Sequence, residues 1–179
     1  LLAARQAAEV GQRVFRRLPL IDIHQAAQRA AVAGIASQRL LIKPFRRGVI
    51  EERLNVAVAR VVESGLPMVY LNQLGGQDEL VFEGASFVLN ADRSFAHQLP
   101  AFREAVRITD WERRPDGWRC LPGEVVAVES GDEADYSACV LGLRDYVAKN
   151  GFESVLFGMS GGIDSTLVAA IACDALGPD

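Results

Sequence analysis

The spacing of apolar positions changes period along the chain, and each change marks an element. Leu54, Val58, Val61 and Val62 recur at helical intervals behind Glu51 and Glu52, where a helix dipole favours acids, and Gly65 supplies a left-handed stop. Met68 to Leu71 is a short apolar run after Pro67 and predicts a buried strand. Gly75-Gly76 predicts a turn. Glu79 to Glu83, Ala85 to Leu89, Phe95 to Leu99 and Ala105 to Thr109 then follow as strands, broken by Gly84 and by 90–93. Tyr136, Val140, Leu143 and Val147 line one face of a helix beginning near Asp135, with Lys149 in its last turn and Asn150-Gly151 as its cap. Val155 to Phe157 predicts a strand and Thr166 to Leu176 a long apolar helix.

The first 47 residues give a weaker pattern. Leu2, Val10, Val14 and Leu18 fit one helix, with Glu9 and Arg13 an i, i+4 pair. His24 to Ala33 fits a second, and Leu40 to Ile42 a strand stopped by Pro44. Residues 111–134 are rich in Pro, Gly and acids, which predicts a linker or wrapping arm. Trp111 and Trp118 are suited to anchoring it on a surface.

Half of the 179 residues are apolar, enough for a real core. The net charge of −4 gives no case for nucleic acid, although arginine concentrates in residues 1–53. An arginine-rich start also fits a transit peptide, and Leu1 in first place points to a start further upstream. Cys120, Cys139 and Cys173 are odd in number and widely spaced, which predicts a reducing, cytoplasmic setting and no zinc site. Cys139 and Cys173 fall on apolar helix faces as small core residues, and Cys120 has no neighbouring base. His24 and His97 stand alone. No apolar run is long enough to span a membrane. Asn72, Gln73, Gln77 and Asp78 form a polar cluster for which an ammonia passage, an interdomain contact and a self-satisfied turn all stand open.

The strongest chemistry lies in Gly158-Met159-Ser160-Gly161-Gly162-Ile163-Asp164-Ser165. A strand, a glycine-rich turn and a helix start in that order form a phosphate cradle, since glycine amides can point inward and the helix start adds partial positive charge. Ser160 and Ser165 add hydroxyl donors. Asp164 repels phosphate unless it binds Mg²⁺ beside it or caps the turn. No lysine follows the glycines, so this is not a Walker loop.

These residues resemble the SGGxDS loop of the N-type ATP pyrophosphatases, which split ATP between the α- and β-phosphates. The block Leu66 to Gly84 resembles the back half of a nitrilase-like glutaminase domain. Gly142 to Phe152, followed by the SGGIDS loop, resembles the start of a synthetase domain. Together they are similar to the bacterial glutamine-dependent NAD⁺ synthetase family. The resemblance implies an α/β chain: the back half of a nitrilase-like sandwich (1–110), a linker (111–134), and the truncated start of a doubly wound parallel-sheet domain (135–179). It implies ATP and Mg²⁺ as cofactors, with Gly158 to Ser165 on the nucleotide and Asp164 on the metal. It implies glutamine and nicotinic acid adenine dinucleotide as substrates, and a homo-oligomer when complete. The family's glutaminase half uses a Glu–Lys–Cys triad, but no cysteine precedes Cys120. Lys43 to Val49 stands where the family has Ser-Pro-Phe/Tyr-x-x-Gly-Lys, with Lys43 for the serine and Val49 for the lysine. No catalytic residue is therefore carried over, and the chain alone is expected to be inactive. The competing readings are another ATP pyrophosphatase-type amidotransferase, such as a GMP synthetase, and a non-catalytic binding fragment.

Overall fold

The computed structural model describes residues 44–177. The two helices and the strand expected before Pro44, and His24, lie outside them. Within them the order is α1 (Val49–Ser64), β1 (Met68–Tyr70), β2 (Leu74–Gln77), β3 (Leu80–Glu83), β4 (Phe87–Leu89), β5 (Phe95–Gln98), β6 (Trp111–Arg114), β7 (Gly117–Cys120), α2 (Gly131–Asn150) and α3 (Ile163–Leu176). The fold is mixed α/β. Strands β1, β4 and β5 form an antiparallel sheet with β4 central, while β2–β3 and β6–β7 are separate hairpins.

The central strand β4 is buried on both faces, and alternation sends its side chains to two different cores. Phe87 and Leu89 join Ala57, Val61, Met68 and Tyr70, so α1 covers one face. Val88 joins Ala96, Cys120 and Trp111, so the β6–β7 hairpin covers the other. Helix α1 starts with Glu51 and Glu52 in its first turn and ends at Gly65 (φ 66°), which returns its N–H to Val61. Its buried stripe is Val49, Arg53, Ala57 and Val61; Val62, expected in that stripe, is exposed.

Helix α2 builds a third core from Ala134, Ala138 and Leu141 against Ala85, Ala101 and Phe102. Of the expected Tyr136, Val140, Leu143 and Val147 face, Val147 is buried, while Tyr136, Val140 and Leu143 are only half-buried. The β2–β3 hairpin comes too close for large side chains: a Cβ on Gly76 would lie 3.1 Å from the Cα of Gly142. Gly75 and Gly76 are thus strand residues rather than a turn, and the turn falls at Asp78-Glu79, with Asp78 left-handed (φ 51°).

Two further differences have simple causes. Residues 105–109 form no strand; Val106 and Ile108 point to solvent, and no neighbouring strand pairs with them among the described residues. Residues 111–120 form a hairpin inside the expected arm. Past it, Gly123 packs on His97 so closely that a Cβ would fall 1.9 Å from the ring, and Val125 bridges to Gln98 in parallel. Helix α2 begins at Gly131, four residues before the expected start near Asp135.

Candidate functional site

The glycine-rich segment forms the entry to α3. Residues 155–160 run as irregular backbone, and the helix begins at Ile163 with Gly162 as its N-cap. The strand expected at Val155 to Phe157 is not formed, because a strand needs a laddered neighbour and none adjoins it among the described residues. Leu156 is fully exposed, and Val155 and Phe157 are also exposed.

The loop's internal geometry is defined by hydroxyls. Ser160 Oγ lies 3.1 Å from Ser165 Oγ and accepts a long bond from the Gly162 N–H at 3.4 Å. Ser165 Oγ and Thr166 Oγ1 both donate to the Gly162 carbonyl, at 3.0 and 2.9 Å, which fixes the first turn of α3. Gly161 is left-handed at φ 81°, a conformation side chains rarely adopt. A Cβ on Gly158 or Gly161 would meet nothing within 4 Å. The glycines are therefore not buried under side chains, and the whole stretch 158–164 faces solvent.

Asp164 lies in the first turn of α3. It does not cap: the N-cap is Gly162, and the Asp164 carboxylate has no hydrogen bond or ion pair among the described residues. That leaves one exposed carboxylate beside two hydroxyls and an open helix start. The donor set suits Mg²⁺, which takes one or two carboxylates and completes its shell with phosphate oxygens and water. Among the described residues no three His, Cys, Asp or Glu side chains gather as a self-sufficient metal cage.

A cavity of about 470 Å³ flanks the loop between α2, α3 and the 152–157 segment, lined by Arg144, Val147, Phe152, Phe157, Ala172 and Cys173 among others. Helix α3 is apolar around most of its surface, with Ile163, Leu167 and Val168 exposed and Ala172 and Ala175 buried. It meets α2 through Tyr136, whose hydroxyl donates to Asp174 at 2.6 Å.

The other expected residues fall as follows. Cys120 is fully buried, and burial, then nearby Asp110, pushes its thiol up, which suits a structural cysteine. Cys139 and Cys173 are exposed, against the expectation of small core residues, because α2 and α3 turn other faces inward. His97 is buried in β5. Of the polar cluster, Asn72 is buried with its amide lacking partners among the described residues, and its backbone N–H donates to Ser86 Oγ at 3.0 Å.

Two features were not anticipated. One is a buried ion pair, Arg53 to Glu83 at 2.5 Å, with the guanidinium 5.3 Å over the Tyr70 ring. Arg53 lies outside the expected α1 stripe of Leu54, Val58, Val61 and Val62, so no sequence signal points to the pair. The other joins α2 to the β2–β3 hairpin: Asp145 accepts from the Gly76 N–H at 2.8 Å, and Lys149 donates to the Gly76 carbonyl.

Comparison with known proteins gives these features a context. The NAD synthase family profile matches residues 135–179, from α2 through the loop and α3. The glutamine-dependent NAD(+) synthetase of Rhodobacter capsulatus is 53% identical over 150 residues, covering 82% of this chain and 27% of that protein. The Synechocystis protein of the same name is 32% identical over 171 residues, covering 94% of this chain and 29% of that one. Among solved structures, the glutamine-dependent NAD⁺ synthetase from Acinetobacter baumannii, in complex with adenosine diphosphate, matches with a TM-score of 0.68 at 36% identity. The match covers 75% of this chain and 25% of that chain. The chain thus spans roughly a quarter of the length of the relatives it matches, and its kinship with glutamine-dependent NAD(+) synthetases is evident in both sequence and structure.

Proposed function

We propose that the protein carrying this chain amidates nicotinic acid adenine dinucleotide to NAD⁺, using ATP and ammonia taken from glutamine. The observation that carries the proposal is the open Gly158–Ser165 loop at the start of α3, inside the stretch matched by the NAD synthase profile. A carboxylate is a poor acyl donor, because it has no good leaving group. Its oxygen attacks the α-phosphorus of ATP, the bridging P–O bond to the β-phosphate breaks, and pyrophosphate leaves. Ammonia then attacks the activated carbonyl carbon, a C–N bond forms, and AMP departs.

The loop's part is to hold the pyrophosphate as charge develops on it. Amides of the Gly161–Gly162 bend and the open helix start supply fixed dipoles, which need no reorganisation at the moment of reaction. Ser160 and Ser165 present hydroxyls on the same side, given their mutual contact. Met159 and Ile163, exposed on either side of the glycines, form the apolar rim of the cradle. Asp164 would hold Mg²⁺, whose charge shields the polyphosphate.

The same proposal divides the chain into a nitrilase-like glutaminase portion up to about residue 110, a linker or wrapping arm over 111–134 that carries the β6–β7 hairpin, and a doubly wound synthetase portion from 135. The exposed apolar surface of α3 supports a separate portion from 135 onward, while the β6–β7 hairpin packs on β4 of the first portion. A homo-oligomeric assembly and a cytoplasmic setting belong to the proposal too. No described helix is long and apolar enough to cross a membrane.

The test supplies ATP, Mg²⁺, nicotinic acid adenine dinucleotide and ammonium to the intact gene product. AMP and pyrophosphate in equal amounts with NAD⁺ are expected. ADP and phosphate instead, or amidation of xanthosine monophosphate alone, would refute the reading. Gly161→Val is expected to abolish turnover while leaving the fold, since its Cβ has open space but a strained φ.

A further inference from the structure

The contact between α2 and the β2–β3 hairpin crosses the edge of the family match. Asp145 and Lys149 lie inside residues 135–179, whereas Gly75 and Gly76 lie outside. Among the described residues strand β2 pairs with β3 alone, so no strand takes the N–H and C=O groups of its other edge. Gly76 turns both outward. The Asp145 carboxylate takes its N–H at 2.8 Å and the Lys149 ammonium donates to its C=O, so two side chains one helical turn apart stand in for a missing strand. Lys149 and Asp145 also pair with each other at 3.5 Å.

The backbone fit is equally specific. A Cβ on Gly75 would lie 2.8 Å from the Asp145 carboxylate, and one on Gly76 would lie 3.1 Å from the Gly142 backbone. Gly142 in turn seats against Val81 of β3, where a Cβ would find its methyl at 3.1 Å. Three glycines and two charges thus hold one geometry. Two residues beyond Lys149, Gly151 (φ 70°) ends α2, and the chain runs straight on to the Gly158–Ser165 loop.

We infer that Asp145 and Lys149 are positioning residues that lock the hairpin to the helix leading into the phosphate loop, so that ammonia released on the hairpin's side is delivered to the activated carboxylate. This rests on the function proposed above, in which ammonia must pass from one portion of the protein to the other. A lock of this kind is needed when ammonia comes from glutamine and is dispensable when ammonia is supplied free.

The test compares both nitrogen sources in the intact gene product for Asp145→Ala, Lys149→Met and the conservative Lys149→Arg. In the first two variants the glutamine-dependent rate is expected to fall about ten- to a hundredfold while the rate with saturating ammonium stays within about twofold, with recovery in Lys149→Arg. Hydrogen exchange at the Gly76 amide should accelerate in Asp145→Ala. Equal loss with both nitrogen sources, or an unchanged glutamine rate, overturns the inference and leaves the proposed function standing. If the unaltered protein makes no NAD⁺ even with ammonium, the proposed function fails, and the inference with it.

Discussion

The carboxamide of Asn90 holds both backbone groups of Cys120: its Nδ2 donates to the Cys120 carbonyl at 3.1 Å, and its Oδ1 accepts the Cys120 N–H at 2.9 Å. Both residues are buried, and they join β4's end to β7, with Arg119 to Asp92 as an outer ion pair. Asn90→Ala leaves a buried donor and acceptor without partners and should cost about 2–4 kcal/mol, since each such loss runs near 1–2 kcal/mol. Urea unfolding of the variant against the parent measures this. A change under about 0.5 kcal/mol would mean that the hairpin is held by its apolar contacts alone.

The same burial sets thiol reactivity. Cys120 is sealed between Val88, Ala96 and Trp111, whereas Cys139 and Cys173 are exposed on their helices. A small disulfide reagent should label Cys139 and Cys173 quickly in the native protein and Cys120 only on unfolding. Fast labelling of Cys120, read by peptide mass mapping, would show that the β6–β7 hairpin opens readily.

Arg53 and Glu83 bring charge into the core next to Tyr70. Neutralising Glu83 removes the carboxylate that faces the buried Arg53 guanidinium, so Glu83→Gln should destabilise by about 3–5 kcal/mol. Replacing both, as in Arg53→Met with Glu83→Leu, should recover most of that loss. A double-mutant cycle by thermal or urea unfolding decides. If the double variant is as unstable as the single one, the pair supports the core through contacts that apolar side chains cannot replace.

Much of this architecture is legible in the chain because local signals and burial agree there. Glu51 and Glu52 with Gly65 bracket α1, Gly151 ends α2, and the Gly158–Ser165 loop opens α3 as its glycines predict. Misreadings arose where a local signal had two physical uses. Gly75-Gly76 looks like a turn, but the glycines are there because α2 approaches within van der Waals distance. The Pro and Gly content of 111–134 predicts a linker or wrapping arm, whereas Pro115-Asp116-Gly117 sits at the turn of the β6–β7 hairpin. The inward face of α2 is set by small residues, Ala134 and Ala138, which hydrophobic periodicity ranks below Tyr136 and Val140. Apolar runs at 105–109 and 155–157 predicted strands, but a strand exists only with a neighbour, and sequence spacing does not supply one.

The Asp145 clamp should also leave a signature in acid. Burial alone raises the Asp145 carboxyl, but the Gly76 N–H, then Lys149 and Arg144, outweigh it and hold the group below the ordinary aspartate value. A carboxyl with a lower pKa folded than unfolded contributes stability above its unfolded pKa and loses it as pH falls through the folded one. The loss therefore belongs below about pH 4, where free aspartate begins to protonate. Asp145→Asn cannot titrate, so the acid slope of its stability curve should be shallower there while the curves run parallel near neutrality. Urea midpoints measured from about pH 2 to 6, alongside the Gly76 amide nitrogen shift in the parent, test this. Identical acid slopes for the two proteins, or a Gly76 shift that does not move in that range, would show that the carboxylate's charge contributes nothing to holding the hairpin.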